Sequence, residues 1–451
     1  EKEGVFLLDD NRISEIHLSS GRTKKKTPKL QPLLQRVVTM SASQNGMWLV
    51  GLLVSGELFL WNKDKDLLKT VSAVREVHQL LSHIKVPLSL LVSESAQRVV
   101  LAALTGQVFL WECSAPQDLS GPRDGIIAGH WSQISCQENT PLPSTADKEA
   151  SLHCVCVKSQ VQQHKHTASV QTPVWVFIPL CCLQAVGDVC LSAFVFTAEA
   201  QLIVTFLKIQ WDSTWDSKLG SAGFRVDWIS KSYPLNQLQP PCKPVKSRGA
   251  LVPAFSPDGQ LLAVVLNQKD PRATQVMFIS TLNFVTVSSL LGGCGVKVLS
   301  IPAKYVRSYW VCCVSWMAEG LYLACVLKRG SLLMLARLAG LVSLSTTGSS
   351  LEFSASHFLP LHPLVTYRPP GSQQAEDGGQ CSSSMSLRDP LRQRYSVTCH
   401  HLQPFLLVSD GYMVTVLRMS RRPSAAALVS SLLMDAAQGL EDMRRSLAAA
   451  Q

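Results

Sequence analysis

Two stretches of this chain, GMWLVGLLVSGELFLW at residues 46–61 and QRVVLAALTGQVFLW at residues 97–111, share one pattern. Each is an apolar strand, a turn that contains a glycine, and a second apolar strand that ends in tryptophan. Gly56 corresponds to Gly106, and Trp61 corresponds to Trp111. Glycine adopts positive φ without strain, so both turns can be tight. A repeat of about fifty residues is typical of a propeller blade or of a solenoid unit.

The most WD-like stretch is AFSPDGQLLAVVL at residues 254–266. Proline at 257 presets φ, the Asp258 side chain bonds to its own backbone, and Gly259 accepts positive φ, so the stretch predicts a turn between two strands. Similar units recur along the chain, and the helical periodicity that a helical solenoid requires is absent before Pro423. We therefore predict an all-β fold, a WD-type β-propeller of about seven blades over residues 1–420.

The end of the chain has a different pattern. Ser424 is a suitable helix cap, and the segment 421–451 predicts an amphipathic helix that leads into a helical region. Residues 369–390 are rich in Gly, Ser, Gln and Asp and predict a disordered loop. Because the chain starts at Glu1 and runs directly into strand pattern, we expect a fragment of a longer protein. The apolar stripe of the predicted helix consists of Leu428, Leu432, Ala436, Leu440, Met443 and Leu447.

The chain has 451 residues, a formal net charge of +10 and only 16% charged residues, which indicates a core-rich globular protein. Its 14 cysteines lie in apolar runs without regular spacing, as expected of buried thiols in a reducing compartment. Part of the positive charge is concentrated near the start of the chain. We expect this run to be a solvated loop, with a phosphate or acidic-lipid site as the alternative. The run consists of Arg22, Lys24, Lys25, Lys26 and Lys29.

The sequence contains no enzyme motif. Phosphate-binding glycine loops, the nucleophile elbow, the dinucleotide fingerprint and the His-Glu-x-x-His zinc motif are all absent. Asp258 has a turn role, and packing between blades accounts for the tryptophans at strand ends. We therefore predict an interaction protein that is not an enzyme and that binds no cofactor and no nucleic acid.

Two other features have ordinary explanations. Cys154, Cys156, His164 and His166 have the residue types of a zinc site, but their spacing fits none of the usual structural zinc patterns. The apolar run at 174–186 is too short to span a bilayer and is interrupted by proline, so we expect a buried strand.

Seven stretches resemble the ciliogenesis and planar polarity effector family, which is mutated in Joubert syndrome. The resemblance covers nearly the whole chain and is closest to the N-terminal region of that family. The stretches are GVFLLDD (4–10), SGRTKKK (20–26), GELFLWNKD (56–64), KSRGAL (246–251), LNQKDP (266–271), RSYWV (307–311) and SDGYMVT (409–415).

The resemblance implies a non-catalytic scaffold of primary cilia, with a WD-type propeller at the start of a large, mostly helical protein. It implies association with the planar polarity effector proteins Inturned, Fuzzy and Fritz at the basal body and transition zone, in the cytoplasm. Together these proteins help bring intraflagellar transport complex A to the cilium. The family supplies no catalytic or ligand residues.

Three further expectations follow. Relative to the family pattern, residues 161–186 look like an insert. A membrane-coat or tethering propeller that binds acidic lipid through the basic loop at 22–29 is the alternative function. Finally, since an open blade edge leaves unpaired backbone groups, we predict that the hairpin at 5–18 pairs with the terminal unit at 405–417 and closes the ring.

Overall fold

The structure is a computed structural model that consists of two compact units, residues 1–248 and 249–451. The expected disordered loop at 369–390 and most of the expected insert lie outside the described residues. The structure describes residues 4–9, 12–17, 23–26, 30–34, 36–83, 88–103, 106–134, 180–198, 201–211, 223–237, 251–267, 274–284, 296–299, 310–318, 320, 322–327, 331–336, 340–346, 361–367, 395–400, 404–409, 414–419, 444 and 448.

The described part of the first unit consists of four sheets and short helices. Sheet 1 contains β1 (Gly4–Asp9), β2 (Arg12–His17) and β3 (Thr23–Lys26). Sheet 2 contains β4 (Val37–Ala42), β5 (Trp48–Leu53), β6 (Leu58–Asn62), β7 (Leu67–Val71) and the parallel strand β11 (Gly125–Ile126). Sheet 3 contains β8 (Leu88–Val92), β9 (Arg98–Ala103), β10 (Val108–Cys113) and β12 (Gly129–Ile134). Sheet 4 contains β13 (Leu180–Val186), β14 (Val189–Ala198), β15 (Gln201–Trp211) and β16 (Phe224–Pro234). The helices are α1 (Gln31–Leu34), α2 (Arg75–His83), α3 (Pro116–Ser120) and a 3₁₀ turn at Leu235–Gln237.

The described part of the second unit consists of three antiparallel sheets. Sheet 5 contains β17 (Leu251–Phe255), β18 (Leu261–Asn267), β19 (Thr274–Ser280) and β20 (Val296–Leu299). Sheet 6 contains β21 (Val311–Trp316), β22 (Tyr322–Leu327), β23 (Ser331–Ala336) and β24 (Gly340–Thr346). Sheet 7 contains β25 (Leu361–Tyr367), β26 (Ser396–Cys399), β27 (Phe405–Ser409) and β28 (Val414–Met419), in the order β25-β28-β27-β26.

The sequence repeat at 46–61 and 97–111 is also a repeat of strand register. In sheet 2 Trp61 lies opposite Leu49, and in sheet 3 Trp111 lies opposite Val99. The two glycine turns have the same geometry, with φ of 85° at Gly56 and 81° at Gly106. A shared register and shared turns make sheets 2 and 3 copies of one unit.

A second turn recurs between the first and second strands of four sheets. In each, the backbone N–H of the residue that opens the turn donates to the carbonyl five positions later, and the fourth turn residue has positive φ. These turns place the strands of each sheet in antiparallel register. The opening residues are Ser43, Ser93, Ser256 and Met317, and the positive-φ residues are Gly46, Ala96, Gly259 and Gly320.

Consecutive sheets pack face to face. Apolar side chains of sheet 2 share one core with those of sheet 3, and the other face of sheet 3 shares a core with sheet 4. In the second unit, sheet 5 packs on sheet 6 and sheet 6 packs on sheet 7. Strands β5, β6 and β22 are buried along their whole length because both of their faces are covered. This is how propeller blades stack.

The first strands of the meanders lie beside one another. In the first unit β4 neighbours β8 and β8 neighbours β13, while in the second unit β17 neighbours β21 and β21 neighbours β26. We call these the inner strands. The architecture within each unit is therefore all-β and of propeller type.

Three predictions need correction. The prediction of about seven blades is confirmed only in part, since five of the described sheets have four strands, sheet 1 has three and sheet 2 has five. The basic run was expected to be a loop, but its central lysines form β3, paired with β2. The predicted pairing of the hairpin at 5–18 with the unit at 405–417 is wrong, because β27 and β28 are flanked by β26 and β25.

Candidate interaction surface

The basic run lies on an edge strand. Lys24, Lys25 and Lys26 belong to β3, and Lys24 lies opposite Glu15 in the register with β2. Arg22 and Lys29 lie outside the described residues.

The two repeat tryptophans are completely buried at equivalent places. Trp61 packs in the core beside α1, and its indole Nε1 donates to Asp66 Oδ1 at 2.9 Å. Trp111 packs between sheets 2 and 3, and its Nε1 has no hydrogen-bond partner in the structure. The backbone of Gly129 lies directly over this ring, where any Cβ would collide with the indole. Both tryptophans are thus packing residues.

Asp258 and Gly259 form the turn between β17 and β18. The carboxylate of Asp258 accepts a hydrogen bond from the backbone N–H of Gln260 at 3.1 Å and one from the Ser256 hydroxyl at 2.5 Å. Gly259 has φ of 66°, and its N–H donates to the Ser256 carbonyl at 2.8 Å. The local turn therefore accounts for both residues, and neither is arranged as a ligand.

Sequence reasoning missed the side chains that join one sheet to the next. Asn267, at the end of β18, bonds to both backbone groups of Val311 at the start of β21. The indole of Trp316 donates to the Ala254 carbonyl at 3.0 Å and so connects β21 to β17. The sequence signal for the link to Val311 is the asparagine that ends the apolar run LLAVVLN, and the structure shows that this asparagine is buried.

The first unit has a comparable link between sheets 3 and 4. The guanidinium of Arg98 lies 4.9 Å from the ring centroid of Trp211, and its Nε is 3.1 Å from a carboxylate oxygen of Glu112. A guanidinium over an indole face is attracted by the ring quadrupole. Nearby, the Asn45 amide donates to the carbonyl of Glu94, which joins the first turns of sheets 2 and 3. These links fix the polar turns at one end of the unit.

Exposed apolar side chains mark candidate contact points for a partner. Among the described residues, Ile126 and Leu282 are each 78% exposed, and Val54 and Val38 are exposed to a smaller extent. Leu282 stands at the tip of the turn after β19. We call residues 281–284 the Leu282 turn.

The Leu282 turn is held in place by the neighbouring turn of sheet 5. The Thr281 hydroxyl donates to the Gly259 carbonyl at 2.6 Å, and the Thr281 N–H donates to the Gln260 carbonyl at 2.9 Å. Phe284 closes the turn with φ of 60°, a left-handed conformation that is rare for an aromatic residue. A braced turn with an exposed leucine loses little conformational entropy when a partner covers it.

The described cysteines and acidic residues have structural surroundings. The described residues contain no group of three or more His, Cys, Asp or Glu side chains placed to hold a metal ion. Burial raises the pKa of the Cys313 and Cys325 thiols, and it raises the pKa of Cys399 to about 12. A thiol of this kind stays protonated at neutral pH and is a poor nucleophile. None of the described helices is long and apolar enough to cross a membrane.

The stacked sheets and the side-chain links between them define the class of this chain. It is an all-β protein of propeller type. The chain resembles the β-propeller domain of Cps50 (Swd1) from Myceliophteria thermophila, with 11% identity, a TM-score of 0.44 and coverage of 92% of each chain. No family model matches the sequence. It is 45% identical over 453 residues to mouse "Ciliogenesis and planar polarity effector 1", covering 99% of this chain and 13% of the mouse protein. The chain belongs to the ciliogenesis and planar polarity effector family and spans a small part of that relative's length.

Proposed function

We propose that this chain is a non-catalytic interaction scaffold in the assembly of the primary cilium. The carrying observation is the 45% identity to mouse "Ciliogenesis and planar polarity effector 1" along 99% of the chain. The buried, protonated thiols and the turn role of Asp258 agree with a protein that binds and does not catalyse. In this proposal residues 1–420 are a WD-type β-propeller region, and 421–451 continues into a helical region. Of that last segment the structure describes Arg444 and Ala448, both exposed and helical.

The proposed partners are the planar polarity effector proteins Inturned, Fuzzy and Fritz. Through them the chain helps to recruit intraflagellar transport complex A at basal bodies and the transition zone, on the cytoplasmic side. The support for these partners is the family resemblance. The Leu282 turn is the favoured contact point because its leucine is exposed and its backbone is held in place by Thr281.

Purification of the chain against each effector protein separately tests this proposal. We expect at least one of the three to be retained by the wild-type chain. The variant Leu282→Asp should weaken that binding at least about tenfold, since an exposed apolar anchor of this size contributes one or more kcal/mol. The matched control is Ile126→Asp, which changes an equally exposed side chain in the first unit. Retention of none of the three effectors would contradict the proposal.

A second candidate is a tethering propeller that binds acidic lipid. Its support is the concentration of Lys24, Lys25 and Lys26 on one edge strand. The chain would then float with vesicles that contain phosphatidylserine and not with neutral vesicles, and replacing the three lysines by glutamate would abolish flotation. Equal recovery with both kinds of vesicle, or none, would contradict this candidate.

A further inference from the structure

The two edges of sheet 1 differ in chemistry. β3 reads TKKK and β1 reads GVFLLD, with four apolar residues in succession. Natural edge strands are protected from further pairing by charged residues, above all by lysine. By this criterion β3 is a protected edge. β1 is an unprotected one.

The path of the chain identifies the position that β1 occupies. β3 leads through α1 to β4, in the same way that β7 leads through α2 to the inner strand β8. Because β7 is the last strand of its meander, β3 is the last strand of sheet 1. The order β1-β2-β3 then assigns β1 to the second position. Among the described residues, no strand takes the inner position beside it.

The missing strand does not come from the unit at 405–417, which the sequence analysis predicted to pair with the hairpin at 5–18. β27 pairs with β26 and β28, and β28 pairs with β27 and β25, so both strands of that hairpin already have two neighbours. β27 and β28 are therefore not the donor for the edge of β1.

We propose that the free edge of β1 takes up a fourth, antiparallel strand from the same polypeptide in the full-length protein, outside residues 1–451. This chain spans only 13% of its mouse relative, so most of such a polypeptide lies outside it. A strand on the same polypeptide pairs at a high effective concentration, which favours it over a separate partner. The inference rests on the blade architecture and is independent of the ciliary role.

The inner strands already present indicate the chemistry of the donor. β4 reads VVTMSA and β8 reads LSLLV, which mix aliphatic residues with Ser or Thr and are only partly buried. We expect the added strand to be an extended segment of the same composition. It pairs mainly through its backbone, as in β-strand addition.

Amide hydrogen exchange of purified full-length protein at low concentration tests this inference. In β1, amides directed toward β2 and amides directed away from it should both be protected. In β3, only the amides directed toward β2 should be protected, and the outward ones should exchange roughly a hundredfold faster. β3 is thus an internal control.

Four outcomes would contradict the proposal. The same protection of the outward β1 amides in the isolated chain of residues 1–451 would assign the added strand to a segment of this chain. Outward amides of β1 that exchange as fast as those of β3 would mean that no strand is added. Protection of β1 only at high protein concentration would assign the edge to a second copy. Protection only after the addition of effector proteins would assign it to a partner's strand.

Discussion

The side-chain amide of Asn267 binds both backbone groups of Val311, accepting from its N–H at 2.9 Å and donating to its carbonyl at 2.8 Å. The hydroxyl of Thr274 donates to the same amide oxygen at 3.1 Å. An amide side chain can replace a peptide group in this way because it presents one acceptor and one donor side by side. Sheet 5 is thereby joined to sheet 6 through residues that are fully buried.

Removal of this link should destabilise the second unit. We expect Asn267→Ala to lower the free energy of unfolding by about 2–4 kcal/mol, because the backbone N–H and carbonyl of Val311 are left unpaired in a buried place. Thr274→Val is the matched control, since it removes the hydroxyl that donates to the Asn267 amide oxygen and leaves the link to Val311 in place. It should lower the free energy of unfolding by about 1 kcal/mol. Urea denaturation followed by fluorescence measures both values, and equal effects would contradict the proposed link.

The two repeat tryptophans should respond differently to phenylalanine. Truncation of Trp61 or Trp111 to alanine should destabilise by about 3–5 kcal/mol, as large aromatic deletions in cores do. Trp61→Phe also removes the hydrogen bond to Asp66, whereas the indole N–H of Trp111 has no partner in the structure. Trp61→Phe should therefore lower the free energy of unfolding by about 1 kcal/mol more than Trp111→Phe. Thermal denaturation of the four variants checks the order, and the reverse order would contradict the contact.

Position 46 should require glycine because of its positive φ and not because a larger side chain lacks space. No atom lies within 4 Å of a Cβ built on Gly46, but its φ is 67°. Gly46→Ala should therefore destabilise by about 1–2 kcal/mol through backbone strain alone. Gly125 has the same open surroundings without positive φ, so Gly125→Ala should change stability by less than about 0.5 kcal/mol. Equal stability changes in a denaturant titration would count against this explanation.

The thiol of Cys399 should resist alkylation. Burial raises its pKa from an ordinary 9.0 to about 12, so little thiolate is present at pH 8. We expect alkylation by iodoacetamide at least about a hundredfold slower than in the unfolded chain. Cys325, whose side chain is completely buried, is the reference for a protected thiol and should react as slowly. Mass spectrometry of labelled peptides measures the rate, and fast labelling of Cys399 would contradict its raised pKa.

The same shift in pKa has a consequence for stability. The unfolded thiol ionises near pH 9.0 and the folded one only near pH 12, so the unfolded state releases protons first. The stabilisation is fully present below pH 9.0 and is lost as the pH rises toward 12.

The glycine turns and the repeat could be predicted from the sequence. Gly56, Gly106 and Gly259 have positive φ, which is the conformation that their turn motifs require. Trp61 and Trp111 have equivalent register because the repeat preserves the spacing from turn to tryptophan. These features depend on residues close together in the chain.

Contacts and strand pairings between residues far apart in the chain could not be predicted from the sequence. Asn267 reaches a residue 44 positions away, and β11 is a two-residue strand paired in parallel with β7. Lysine has a low strand propensity, so the run at 24–26 indicated a loop, while the register with β2 makes it an edge strand. The pairing of β28 with β25 likewise spans a long gap in sequence, which is why the predicted pairing of the hairpin at 5–18 with the unit at 405–417 was wrong.

The most direct test of the proposed scaffold is rescue of ciliation in cells that lack the full-length protein. Full-length protein should restore cilia and the accumulation of intraflagellar transport complex A at basal bodies. A form that lacks residues 1–451 but is expressed at the same level should restore neither. If the shortened form restored both as well as the full-length protein does, this chain would not be the recruiting scaffold, and the central claim would be contradicted.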